Sequence, residues 1–582
     1  MYISGFSGSA GTALVTEDKA LLWTDGRYFL QAEKELGPEW TLMRGGTAGV
    51  PEPRAWLKDT MPKGSKVGID ASVHSLSEAR AVRNLLAHAE CSLVHVDANP
   101  VDAAWGADRP AFPTAPLRVH GIQFSGNSVA DKLADIRKQL TAQEVDYLVV
   151  SPLDEVMWLF NVRGGDAECN PVAIAYGLVG KETAALYVDQ CKVTDAVRQH
   201  LDTAGVVVKP YEECVGDMKA AAAAGARLWV DAERVSMALV AAAEGAAGAP
   251  PAEGGEAASP PAKKRKAAKH AAAASAAASA ATVKEGVSPI PLAKAIKNEI
   301  ELAGMVEAHL RDGVAMASFW CWLDQQAAAG IPHDEFAIGV KVSGFRRAQA
   351  GFIEESFSTI AGEGPHGAII HYRATQHTAR TVGSDSLLLC DSGGQYDCGT
   401  TDTTRTHHTG RPTEHQRQCY TRVLQGHIGL SSAVFPADTS GFVLDAFARR
   451  HLWEAGLDYR HGTGHGVGAA LNVHEGPHSI SPRFANPTPL QAGMIVSDEP
   501  GYYEDGNFGR ARGPGPGARG RPAEQHGATS SATLSRMWCR LFCLFQCHPA
   551  PLRALLRCFL SSMSSYGVAS ITPLFLELNV SP

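Results

Sequence analysis

Apolar residues fall along this chain in short runs separated by turn residues or by longer helical stretches. Lys66–Asp70, Tyr147–Val150, Ala184–Val188 and Leu228–Val230 are brief runs rich in Val, Leu, Ile and aromatic residues. Such runs, bounded by breakers, predict strands. From Ala293 to about Gln325 the apolar positions recur at helical spacing, which predicts one long amphipathic helix whose polar face begins at Lys297, Asn298 and Glu299. Leu387–Cys390 and Met494–Val496 are apolar runs that end at acidic residues, and both read as strands. The alternation of strand and helix patterns predicts a mixed α/β (α+β) fold.

Composition divides the chain. At 582 residues it is long enough for three or four domains. The pattern gives an α/β domain over 1–115, a second over 116–290 and a third from 291 to 509. Within the second, about 241 to 285 is nearly all Ala, Gly, Pro, Ser, Glu and Lys, too poor in large apolar residues to build a core, and reads as a disordered insert. Its basic run Lys263, Lys264, Arg265 and Lys266 is either a solvated linker charge or a nuclear-import signal. From 510 to 582 the character changes again. This tail holds eight Arg, no Lys and only the acids Glu524 and Glu577, and opens on a Gly-Pro run without period. It reads as aberrant and non-homologous, an artefact of gene prediction or an alternative transcript, with a real but degenerate paralogue as the other reading. Cys539, Cys543 and Cys547 lie in it, at a spacing that metal sites rarely use.

Charge narrows the partners. The 53 Lys and Arg against 61 Asp and Glu give a net charge of −8, which argues against nucleic acid as the main partner. No run approaches the length of a membrane-spanning helix, and the first residues lack a basic and apolar leader pattern, so neither membrane nor secretion is expected. The 12 scattered Cys read as reduced thiols of a cytoplasmic protein.

The candidate chemistry lies between His371 and Glu499. Asp391 follows an apolar run, and Asp402 comes eleven residues later after a Gly-rich turn, a spacing that lets two carboxylates meet across a hairpin. His465 sits in a loop of small residues, His461 to Gly468, and Glu499 precedes Pro500-Gly501. Carboxylates with one imidazole suit Mn²⁺, Co²⁺ or Zn²⁺. Each residue also has a plain structural reading: an Asp at a strand end caps turns, and a His in a Gly-rich loop bonds backbone.

Longer motifs decide between these. They are Asp391-Ser392-Gly393-Gly394-Gln395-Tyr396 with Gly399 to Thr406, His461 to Gly468, Asn472-Val473-His474-Glu475-Gly476-Pro477, and Asp498 to Gly506. Upstream stand Gly367 to Tyr372, Trp158 to Gly164 and Trp23-Thr24-Asp25-Gly26-Arg27-Tyr28. With these the chain resembles the cytosolic Xaa-Pro aminopeptidases (aminopeptidase P) of the pita-bread metallopeptidases, over nearly all of 1–509 except the insert.

The resemblance implies two creatinase-type N-terminal domains followed by a pita-bread catalytic domain, and hydrolysis of the Xaa-Pro bond at a peptide N-terminus by a metal-bridging hydroxide. It implies Asp391, Asp402, His465 and Glu499 as ligands of two Mn²⁺. His371, His461 and His474 are implied as catalytic histidines, and Arg27, His371, His465 and His474 as substrate contacts. Peptides with proline in second position are the implied partners, and a homodimer the implied assembly. The pattern also needs a second bridging Glu about fourteen residues after Glu499. Gly513 stands there, and no acid follows before Glu524, so impaired activity is expected of this chain. The family also has several dozen residues ahead of the Ser4-Gly5-Phe6 run. The competing reading is a catalytically silent pita-bread module that binds peptides or histones; four intact ligands argue against it.

Overall fold

The computed structural model describes residues 1–96, 98–244, 283–484 and 486–511. The basic run at 263–266, the Cys-rich segment and Gly513 lie outside the described residues.

In the first region, Ala20–Thr24 is the buried centre of a three-stranded sheet, antiparallel to Thr12–Val15 and parallel to Trp40–Arg44. Phe6, Leu22, Tyr28 and Ala32 pack together beside it. Lys66–Ile69, the strand expected from its apolar run, pairs in parallel with Ser92–His95. Helix Leu76–His88 joins them, and its N-cap Ser75 accepts from Glu78 N.

The second region is a six-stranded sheet in the order Val207–Lys209, Ala184–Val188, Ala175–Gly180, Tyr147–Val150, Leu228–Val230, Val283–Glu285. Three of these strands match their apolar runs residue for residue. Helix Val129–Ala142 starts at a capping box between Ser128 and Asp131 and buries Leu133, Ile136 and Leu140 against the sheet. The stretch read as an insert has ordered ends: helix Met237–Ala243 runs into it, and Val283–Glu285 leaves it as an edge strand parallel to Leu228–Val230. The apolar Val283 and the ladder hydrogen bonds outweigh the biased composition there.

The third region carries the site. Its long helix runs Glu299–Ala328, with a capping box formed by Asn298 and Glu301. Met305, Ala308, Asp312, Ala315, Phe319 and Leu323 form its buried stripe. Asp312 takes both arms of the buried Arg346 guanidinium, at 2.6 and 3.0 Å, tying this helix to helix Glu335–Arg347. Lys297 is not on a polar face. It precedes the helix, and with Lys294 it is buried in an ion pair with Glu475. A charge cluster satisfied inside the protein looks, in sequence, the same as one facing water.

Phe352–Glu363, Leu387–Tyr396 and Thr403–His408 form an antiparallel sheet. The run expected at Leu387–Cys390 thus continues through the polar half of its motif. Met494–Val496, expected as a strand, forms only an isolated bridge, Val496 to Gly466. Its backbone groups bond the His465 loop and the His478 ring rather than a ladder partner. Helices Glu414–Ser431 and Gly441–Trp453 pack beside these loops. The second and third regions are joined by the fully buried Arg163, whose Nε donates to Ala470 O at 2.5 Å and whose Nη2 donates to Ala469 O at 3.2 Å.

Candidate metal centre

The hairpin brings two carboxylates to one face. Asp391 lies opposite Thr404, and Asp402 comes two residues before Thr404, so the pleat sends both side chains the same way. The close approach needs Gly393: a Cβ there would lie 2.0 Å from Thr401 O and 2.2 Å from Ser356 Oγ.

His465 arrives from the strand Gly464–Gly466, pairing with Ser479. Both neighbours must be glycine, since a Cβ on Gly464 would meet Ser497 O at 2.1 Å and one on Gly466 would meet Glu475 O at 2.4 Å. The small residues flanking His465 therefore serve backbone approach, as the sequence indicates. His465 Nδ1 lies 2.8 Å from Gly466 O and donates to it, which leaves Nε2 facing the carboxylates. Nε2 stands 2.9 Å from Glu499 Oε1 and 3.3 Å from Asp402 Oδ2. Glu499 is set by its own N–H, which donates to Thr463 O at 2.7 Å.

Among the described residues, Asp402, His465 and Glu499 form the one group of three whose ligand atoms all lie within 4.8 Å of one another. Asp391 stands just outside it. Its carboxyl is pushed far above the usual range by burial and by the charges of Asp402 and Glu499. Burial and Glu499 raise Asp402 as well. Burial opposes charge on His465, yet Glu499 and Asp402 lift it well above an ordinary histidine. Three carboxylates thus share one imidazole, and the cluster is short of positive charge. Asp391 Oδ1 is buried without a hydrogen-bond partner, and His465 Nε2 meets only acceptors unless it takes a second proton. Oxygen donors and one imidazole, with an orphaned oxygen aimed inward, are a donor set that fits divalent cations.

The other residues singled out in the sequence surround this cluster. His371 and His474 are held neutral, lowered to about 4, His371 by burial and the Arg27 charge, His474 by burial and the charge of His465. His474 lies against His465, with ring centroids 4.3 Å apart. Burial also lowers His461, whose Nδ1 donates to Gly462 O while its buried Nε2 has no hydrogen-bond partner. Arg27 comes from the first region, clamped through Nε and Nη2 by Asp25 at 2.8 and 2.7 Å.

Sequence reasoning passed over three side chains here. Ser497 accepts from His465 N at 2.9 Å. The half-buried Tyr503 has its hydroxyl pKa raised well above the usual value, by desolvation and by the charges of Asp391 and Glu499. Tyr28 places its hydroxyl 2.6 Å from His371 Nδ1. Tyr28 and Tyr503 stand inside matched motifs, and that position was the only signal they gave.

Comparison with known proteins agrees with this architecture. Residues 1–102 and 108–273 match the Creatinase/Prolidase N-terminal domain, and residues 262–520 match metallopeptidase family M24. Aminopeptidase P2 of Arabidopsis thaliana is 46% identical over 509 residues, covering 87% of this chain and 71% of that protein. A probable Xaa-Pro aminopeptidase P of Neurospora crassa is 45% identical over 511 residues, with the same coverage of each. The crystal structure of the X-prolyl aminopeptidase from Caenorhabditis elegans, described as a cytosolic enzyme with a di-nuclear active site, superposes with a TM-score of 0.78 at 32% identity. That match covers 88% of this chain and 78% of the other. With creatinase-type domains in front, a pita-bread domain behind and a metal-type cluster between its strands, the chain belongs to the Xaa-Pro aminopeptidase (aminopeptidase P) family of M24 metallopeptidases.

Proposed function

We propose that this protein hydrolyses the bond between the first residue of a peptide and a proline in second position. The observation that carries the reading is the charge-deficient cluster of Asp391, Asp402, His465 and Glu499, with its orphaned Asp391 Oδ1. These residues would hold two Mn²⁺, and the same donors suit Co²⁺ or Zn²⁺. Bound there, divalent cations would supply Lewis acidity toward a water and toward the carbonyl before proline.

The chain's own groups do the rest. Glu499 takes up the proton that the attacking water gives away. Arg27, fixed by Asp25, presents a rigid guanidinium to the peptide. His371, His461 and His474 are neutral near pH 7, so each carries one N–H and one lone pair, though the N–H of His461 is already given to Gly462 O. One donates to the carbonyl oxygen as charge grows on it, and another relays the proton held by Glu499, taking it on its lone pair and passing it to the leaving nitrogen, which in proline carries no hydrogen of its own. Cytoplasmic location and a homodimeric assembly belong to the same reading, the former supported by the cytosolic relative from C. elegans. Among the described residues no helix is long and apolar enough to cross a membrane.

Turnover by this chain is expected to be poor. With Gly513 where the family pattern has a bridging Glu, one carboxylate fewer offsets two 2+ charges. The test incubates the 582-residue chain, and a version carrying Gly-Ile-Arg-Ile-Glu-Asn at that place, with Mn²⁺ and an Arg-Pro-Pro peptide. Release of arginine by the second version and one tightly bound Mn²⁺ or fewer in the first are expected. Cleavage only of peptides lacking proline in second position overturns the substrate reading. Two bound ions with full activity in the unaltered chain overturns the impairment.

A further inference from the structure

Tyr28 belongs to the first region of the chain and His371 to the third, 343 residues later, yet the two side chains meet. Tyr28 is buried, 2% exposed, and its ring is fixed from three sides. Phe6 packs edge-on at 5.9 Å, the Arg27 guanidinium lies over the ring at 5.2 Å, and Ala32 and Leu22 complete the pocket. The hydroxyl is left pointing out of that core, hydrogen-bonded to Ser9 Oγ and 2.6 Å from His371 Nδ1. His371 is itself held unusually: its φ is +62°, a left-handed backbone that a residue with a Cβ adopts at some cost. Both features aim one ring.

A neutral imidazole has one N–H and one lone pair, and the partner of one nitrogen decides the state of the other. Of the groups meeting at Tyr28 Oη, the phenol is the more acidic hydroxyl and imidazole nitrogen the more basic acceptor. Ser9 then donates to Tyr28, Tyr28 to His371 Nδ1, and the proton of the ring stays on Nε2.

We infer that Tyr28 is a positioning residue for the peptidase reaction: its hydroxyl holds His371 as the Nε2–H tautomer, so that the ring presents a donor rather than a lone pair to the site. The first domain thereby supplies more than Arg27; it sets the protonation pattern of a histidine in the catalytic domain. This rests on the proposed function for its consequence in catalysis, but the tautomer itself does not depend on activity.

The test is nitrogen NMR of the full-length chain labelled at histidine, with the His371 signals assigned from a His371→Gln variant. At pH 7 Nδ1 is expected at an unprotonated-type shift and Nε2 at a protonated-type shift. In Tyr28→Phe, which keeps the ring packing, the two shifts should move toward each other as the tautomers mix. A protonated Nδ1 in the unaltered protein, or identical spectra in Tyr28→Phe, overturns the inference. If Tyr28→Phe does not fold, the unaltered spectrum still decides. In the version with the bridging Glu supplied, Tyr28→Phe should lower kcat about tenfold with KM within about twofold. It should have no added effect in a His371→Gln background. An unchanged kcat with a shifted tautomer would reject the catalytic role and leave the proposed activity standing; inactivity of every version with the expected spectrum would reject the activity and leave the tautomer standing.

Discussion

Ser497 holds His465 by two hydrogen bonds: its N–H donates to His465 O at 2.8 Å, and its Oγ accepts from His465 N at 2.9 Å. Glu499 lies two residues further on, so the imidazole and the carboxylate that face each other at 2.9 Å are registered through this one serine. Ser497→Ala should leave the His465 N–H without that acceptor and cost about 1–2 kcal/mol. It should also weaken Mn²⁺ binding by about 10–100-fold, as loss of a residue that orients a ligand does. Calorimetric titration of Mn²⁺ into both proteins, beside their unfolding curves, checks this.

Glycine at 393 and glycine at 216 should respond to alanine in opposite directions. At Gly393 the new methyl would lie 2.0 Å from Thr401 O inside the hairpin that carries Asp391 and Asp402, and the strain should exceed about 3 kcal/mol. Gly216 lies within helix Glu213–Ala223 with nothing within 4 Å of a Cβ, so alanine should stabilise by about 0.5–1 kcal/mol. Thermal melts of the two variants give the comparison; destabilisation by Gly216→Ala would count against the helix.

Glu475 is the buried anion between Lys294 and Lys297. Glu475→Gln keeps the shape and removes the charge, leaving two buried ammonium groups with Asp154, 3.0 Å from Lys294, and the charge of Glu301 near Lys297 to offset them. The expected loss is about 3–5 kcal/mol. Because Glu475 pairs with Gly466 in the strand next to His465, weaker metal binding should accompany it. Urea denaturation measures the first effect and Mn²⁺ titration the second.

Acid should destabilise the fold above the range where carboxylates titrate. His371 and His478 are both lowered to about 4, burial being the main cause. Their unfolded counterparts titrate near 6.5. Between these values the unfolded chain binds more protons than the folded one, so stability rises with pH through the window and falls as pH drops from about 6.5 to about 4. Each group can contribute up to about 3 kcal/mol to that loss. Denaturation curves at pH 7 and pH 4.5 should differ accordingly, and His478→Gln should flatten part of the difference.

Much of this was legible in the sequence where the physics is local. Tyr147–Val150, Ala184–Val188 and Leu228–Val230 are strands because short apolar runs between breakers have little else to become. The candidate ligands could be named because the motifs around them are long; the hairpin and the loop of small residues bring Asp402, His465 and Glu499 together, with Asp391 outside that group. What escaped depends on partners far away in the chain. Lys294 and Lys297 look like surface charge until Glu475 arrives from 178 residues beyond Lys297. Met494–Val496 has a strand's composition, but its hydrogen bonds go to the His465 loop and the His478 ring. Tyr28 and Ser497 carry no pattern that announces a hydrogen bond to a histidine in another segment.

Arg163 has a consequence for the order in which this protein can be made. Its Nε acceptor, Ala470 O, lies 307 residues downstream. At about 5–20 residues per second a ribosome needs roughly 15–60 s to deliver that acceptor after Arg163 has emerged. The second domain's sheet is complete well before then, with a guanidinium destined for the interior still in water. The nascent domain therefore waits with an open socket, and it closes only when the loop bearing Ala469 and Ala470 is threaded in. A catalytic domain produced by itself would lack the cation its loop carbonyls receive. For this chain, dissection at the domain borders should yield pieces with a lower soluble fraction on expression than the whole.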